Sequence, residues 1–116
     1  MSFEHCPAVI VVFAMRGCPA CEEFKPRLEN QVKRWQGYGH RLVFGDKGQS
    51  FAEDEIPILL LDAQSADPQI NKVADELAVV GLPTTVLFRR YEHPVKYEGA
   101  VGDQQLYDIL RAAVEA

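Results

Sequence analysis

Two hydrophobic rhythms alternate along this chain: unbroken or period-two apolar runs that predict strands, and four- and three-residue steps that predict helices. Ala8 to Met15 (AVIVVFAM) is uninterruptedly apolar and rich in β-branched residues, the pattern of a central strand covered on both faces. From Pro19 to about Gln36, the spacing of Phe24, Leu28, Val32 and Trp35 predicts an amphipathic helix with one apolar stripe. Glu22 and Glu23 in its first turn, Lys33 and Arg34 in its last and Gly37 just beyond suit the helix dipole and a glycine stop. Ile58 to Leu61 predicts a second buried strand. Asp67-Pro68 then opens a helix, with an N-cap and a proline in the first helical position, and Ile70, Val73, Leu77 and Val80 form its apolar face. Thr84 to Arg90 is strand-like. Val95 and Tyr97 alternate with Lys96 and Glu98 in a last strand, which Pro94 places at a sheet edge. Asp103 caps a closing helix whose Leu106, Ile109, Leu110 and Ala113 share one side.

The resulting order, β-α-β-α-β-β-α, predicts an α/β fold: a mixed four-stranded sheet with helices on both faces. The first two strands are parallel by crossover and the last two form an antiparallel hairpin. No repeat or linker interrupts the pattern, so residues 1–116 are expected to form a single domain. Residues 37–55 stand apart. Arg41 to Phe44 is a candidate short strand there, but the Gly, Asp, Lys and Ser around it predict an irregular, mobile excursion.

Composition sharpens this picture mainly by exclusion. With 47% hydrophobic and 25% charged residues the chain has the usage of a soluble globular protein. A formal net charge of -5 disfavours nucleic acid and anionic membrane surfaces, both of which select clustered Lys and Arg. The apolar run Ala8 to Met15 is too short to span a bilayer and lacks the marks of a secretory signal, so a cytoplasmic monomer is expected. Three cysteines, an odd number, do not form the framework of a secreted mini-protein.

Chemistry is the better account of Cys18 and Cys21, in the segment Arg16-Gly17-Cys18-Pro19-Ala20-Cys21. Disulfide exchange needs a thiolate to attack and a second thiol near enough to resolve the mixed disulfide. At the start of a helix, residues three apart face one side, and the unpaired backbone N–H groups with the helix dipole stabilise a sulfur anion on the first cysteine. Arg16 adds positive charge nearby. Pro19 fits the first turn and stiffens the spacing between the sulfurs. Cys18 is therefore the expected nucleophile and Cys21 the resolver. The competing readings are a structural zinc half-site and a pair of inert buried cysteines. Zinc takes four ligands, and no second CxxC exists. Cys6, the only other sulfur-bearing cysteine, lies at the far end of the first strand, roughly 25 Å away or more, and His5 goes with it. No metal or cofactor is expected.

Strand, Cys18-Pro19-Ala20-Cys21 and helix together resemble the thioredoxin-like superfamily, and three further features carry the resemblance. Pro26, five residues after Cys21, matches the proline that kinks the active-site helix. Gly81-Leu82-Pro83-Thr84-Thr85 resembles the cis-proline loop, which packs against the cysteines and offers backbone to an extended substrate. Gly99-Ala100 matches a glycine pair after the last strand. The resemblance thus implies that Leu82, Pro83, Pro19 and Arg16 contact substrate, with Pro26 and Gly99 structural near the site. It covers Ala8 to Gln36 and Ile58 to the C-terminus. Val12 stands where thioredoxins place a buried aspartate that assists proton transfer at the resolving cysteine, and Gly17 where they usually have tryptophan. The N-terminus is trimmed and Cys-Pro-Ala-Cys is close to glutaredoxin motifs, but the glutathione-holding Gly-Gly and acidic pair is not evident around Gly99 to Asp103.

The implied activity is thiol-disulfide exchange on protein disulfides, with re-reduction by a flavoprotein reductase or by glutathione. The alternative is a thioredoxin-fold binding or regulatory module of a larger assembly, its CxxC non-catalytic or switch-like. His5, His40 and His93 are expected to be solvated, as are Arg89 and Arg90, and Asp62 to form a turn.

Overall fold

The computed structural model describes residues 5–116. Among them the elements run β1 (Ala8–Ala14), α1 (Pro19–Gly37), β2 (Leu42–Gly45), β3 (Ile56–Asp62), α2 (Pro68–Glu76), β4 (Thr84–Arg89), β5 (Val95–Glu98) and α3 (Asp103–Val114). They build one mixed sheet in the order β2-β3-β1-β4-β5. β1 sits at its centre, parallel to β3 and antiparallel to β4, with Val12 opposite Leu60 on one side and Thr85 on the other. All its residues are buried, as the unbroken apolar run requires.

Alternation along β1 divides the core in two. Ala8, Ile10 and Val12 pack with Ile58 and Leu87 against Phe24, Leu28 and Val32 of α1 and Leu106, Ile109 and Leu110 of α3. Val9, Val11 and Phe13 pack with Leu59 and Val86 against Ile70 and Val73 of α2 and Leu77, its C-cap. Each fully buried side chain of this size contributes about 1.5–3 kcal/mol, so the sheet is fixed in register by both faces at once. Arg27 then ties α1 to α3. Its guanidinium donates to both carboxylate oxygens of Glu23, at 2.6 and 3.0 Å, and to Val101 O and Asp103 Oδ1, both at 2.9 Å. The hydrogen bond from Arg27 is also what holds the Glu23 carboxyl below its ordinary value.

The sheet has a fifth strand where the sequence predicts four. β2 comes from the segment expected to be a mobile excursion, and it pairs in parallel with β3, Leu42 opposite Ile56 and Phe44 opposite Ile58. The return from β2 to β3 is anchored at several points. Phe51 enters the core on the α2 side, Lys47 bridges to the N-cap Asp67 of α2 at 2.9 Å, and Arg41 bonds Asp54 at 2.6 Å. His5, expected to be merely solvated, bonds the carbonyl of Phe51 through its ring, and Arg90 donates from its guanidinium to His5 O. Arg89 likewise pairs with Glu92 at 3.1 Å.

Gly45 makes this return possible. A Cβ there would lie 2.6 Å from Gln49 Oε1 and 2.7 Å from Phe51 Cζ. Gln49 can swing aside, but the Phe51 ring is buried. Gly45→Ala is therefore expected to lower stability by about 1–3 kcal/mol, read from the urea midpoint. A midpoint equal to the parent's would show that the ring gives way freely.

Smaller differences have local causes. α1 runs through Gly37 to a C-cap at Tyr38, and the left-handed residue is Gly39 at φ +94. α2 stops at Glu76 because Ala78 turns left-handed at φ +53, which leaves Val80 83% exposed rather than on a helix face. Gly102, not Asp103, is the N-cap of α3; Asp103 stands in its first turn and bonds Arg27 instead.

Candidate functional site

β1 delivers the chain to the sheet's carboxyl edge at Ala14, and Gly17 turns it into α1 with φ +80. A glycine serves there because L side chains rarely adopt that backbone region. Cys18 is then the N-cap, with extended backbone, and Pro19 takes the first helical position where its missing N–H removes no bond. The Cys21 amide donates to Cys18 Sγ at 3.2 Å, so one of the helix's orphan N–H groups is spent on sulfur.

Cys18 and Cys21 are joined as a disulfide, with Cα atoms 5.2 Å apart. The two sulfurs are unequally placed. Cys18 is 8% exposed and Cys21 0%, and both pack against Ala14, with Met15 and Leu82 alongside. Leu82 belongs to the loop before β4, whose Leu82–Pro83 peptide is cis, and its carbonyl oxygen lies 3.9 Å from Cys18 Sγ.

The sequence-derived residues thus fall into distinct groups. Cys18, Cys21 and Leu82 form one cluster, and Pro83 is buried beside it in sequence. Arg16 precedes the cysteines, Pro19 lies between them, and both are exposed. Pro26 lies inside α1, exposed, a little over one turn beyond Cys21. Gly99 is held at φ +82 and donates its N–H to Pro83 O at 2.8 Å. Two clefts flank the cluster. One, about 270 Å³, is lined by Ala14, Met15, Arg16, Lys25, Leu60 and Asp62; the other, about 480 Å³, by Ala63, Asn71, Ala74, Val79, Val80 and Leu82.

Cys6 stands apart from this chemistry. It is buried in the core on the α2 side, its Sγ 3.6 Å from Ala52 O. Burial pushes its thiol up from the ordinary value, Glu55 adds to the rise and Arg90 opposes it, so Cys6 is held as the inert thiol. His40 packs on Trp35 and His93 is exposed, and neither reaches the cysteines' cluster. Among the described residues no group of three or more His, Cys, Asp or Glu is placed to hold a metal ion.

Sequence reasoning missed the residues that hold the Leu82–Pro83 loop. Lys96 of β5 donates to Ala78 O at 2.9 Å, steadied by Glu98 at 3.2 Å, and the Thr84 hydroxyl donates to Gly81 O at 2.5 Å. Their only sequence signal is strand register, since Lys96 faces Val86 and Thr84 faces Glu98 across the hairpin.

The family model for a thioredoxin-like domain matches residues 4–114. Among solved structures, chloroplastic thioredoxin z is similar at 17% identity, covering 94% of this chain and 80% of that one, with a TM-score of 0.63. The germline-specific thioredoxin Deadhead of Drosophila melanogaster is similar at 13% identity, with coverage of 94% and 83% and a TM-score of 0.64. Thioredoxin-2, described as a component of the malaria parasite's protein secretion machinery, is similar at 15% identity, with coverage of 90% and 82% and a TM-score of 0.61. No curated protein matches significantly.

Proposed function

Because the chain belongs to the thioredoxin-like domain family, we propose that it is a thiol-disulfide oxidoreductase that reduces disulfides in proteins, with Cys18 attacking and Cys21 resolving. One observation carries the reading: a CxxC pair at bonding distance on a helix N-terminus, with its outer sulfur beside the Leu82 carbonyl and its inner sulfur fully buried. A substrate disulfide meets Cys18 first. The reduced Cys18 thiolate attacks one substrate sulfur, the substrate S–S bond breaks, and one substrate thiolate leaves. Cys21 then attacks Cys18 Sγ, the intramolecular disulfide closes, and the second substrate thiolate leaves. Two electrons pass to the substrate. Arg16 and Pro19 frame the approach, and Leu82 offers backbone beside it.

A separate reductant must reopen the pair. A flavoprotein disulfide reductase or glutathione supplies the required two electrons, and the reaction calls on no bound cofactor. The binding-module alternative keeps the same fold but predicts a CxxC pair that performs no exchange. Catalysed reduction of insulin disulfides by dithiothreitol tests the proposal. Acceleration by the parent protein supports it, and a rate equal to that of dithiothreitol alone overturns it.

A further inference from the structure

One buried hydroxyl in the core is without a partner. Thr85 is 0% exposed, and its Oγ1 makes no hydrogen bond among the described residues. Its neighbour Thr84, equally buried, donates to Gly81 O. An orphaned buried polar atom is rare in native proteins and calls for a reason, because valine would fill the same space without it.

Register says where the hydroxyl sits. Thr85 lies directly opposite Val12 of β1, and since Leu87 and Val12 face α1 and α3, Thr85 shares that face. Ala14, two residues beyond Val12 on the same face, is the residue on which Cys21 packs. Diagonal neighbours on one face of an antiparallel pair are about 7–8 Å apart at Cα, closer at their side chains. The orphan therefore lies diagonally across from Ala14, the residue on which Cys21 packs, and beside the apolar side chains of Ile10, Val12, Ile58 and Phe24.

We propose that the Thr85 hydroxyl serves Cys21. When the Cys18–Cys21 bond opens, the Cys21 sulfur becomes a hydrogen-bond acceptor, and the Thr85 O–H donates to it directly or through one water. In the resolving step the Cys21 thiolate attacks Cys18 Sγ, the Cys18–substrate S–S bond breaks, and the leaving substrate sulfur takes up the proton that Cys21 gave up. The hydroxyl stabilises that thiolate before the attack. It is partnerless in the oxidised protein because the disulfide bond holds the Cys21 sulfur out of its hydrogen-bond reach. This inference rests on the exchange reading above.

Thr85→Val separates the roles, since it deletes the hydroxyl and keeps the shape. Two readouts apply: the urea midpoints of oxidised and reduced protein, and stopped-flow closure of a mixed disulfide formed at Cys18 with a small aromatic disulfide. The oxidised variant is expected to be at least as stable as the parent, while the reduced variant loses ground. A tenfold shift in that balance lowers the reduction potential by about 30 mV. Closure should slow about tenfold near neutral pH and its pH profile should move to higher pH, with Thr85→Ser restoring both. Equal effects on oxidised and reduced stability, or an unchanged closure profile, overturn the proposal. If the parent performs no exchange, the functional reading fails first, and the stability comparison still decides whether Thr85 meets Cys21.

Discussion

Cys21→Ser is expected to accumulate covalent complexes with disulfide-bearing proteins, whereas Cys18→Ser forms none and loses all exchange. The asymmetry follows from burial. An approaching disulfide reaches the Cys18 sulfur, which is 8% exposed, but not Cys21, which has no exposed surface. With Cys18 intact and Cys21 replaced, attack proceeds and the mixed disulfide has nothing within reach to resolve it. Cys6 offers no substitute, because it lies in the other half of the core with its thiol held protonated by burial. Non-reducing electrophoresis with insulin as substrate reads the result: a band carrying both chains in Cys21→Ser that vanishes with reductant. A band from Cys18→Ser alone would reverse the assignment of the two roles, and comparable bands from both variants would overturn it.

Val12→Asp is expected to produce the largest loss of stability. Val12 is 0% exposed in a hydrophobic cluster with Ile10, Ile58, Phe24 and Leu28. Burying the charge there costs about 3 kcal/mol or more near neutral pH. Burial raises the introduced carboxyl's pKa in the folded state above its unfolded value of about 3.9, so protonation favours folding. The deficit relative to the parent is thus smallest at or below about pH 4 and grows as pH rises towards the folded-state value. At low pH the Thr85 hydroxyl opposite can bond the neutral acid. Urea midpoints for parent and variant across this pH range measure the effect. A pH-independent difference would mean that the side chain escapes to solvent.

Most of the fold is legible because its elements are extreme cases. β1 is apolar at every position because it is buried on both faces, and the helices carry one stripe each because they cover one face each. β2 is different. Only Leu42 of its residues is fully buried, and Val43, Phe44 and Gly45 are half covered, so the segment lacks both the unbroken run and the clean alternation of a strand. Its pairing is decided by Ile56 and Phe51, several residues downstream, which no local window contains. Val80 failed for the opposite reason: it has the right spacing for the α2 stripe, but Ala78 breaks the helix first. At the site, Cys18 and Cys21 announce themselves by spacing. Thr85 and Lys96 do not, since an ordinary strand residue gains meaning only from what lies across the sheet.

The two outer strands, β2 and β5, are only four residues long, and Arg41, Pro94, Lys96 and Glu98 stand in or beside them. An extended chain that meets an open sheet edge can add itself there as a further strand. Edges this short and this charged give such chains no template to zip along. Growth of the sheet by strand addition is thereby disfavoured at both of its outer edges.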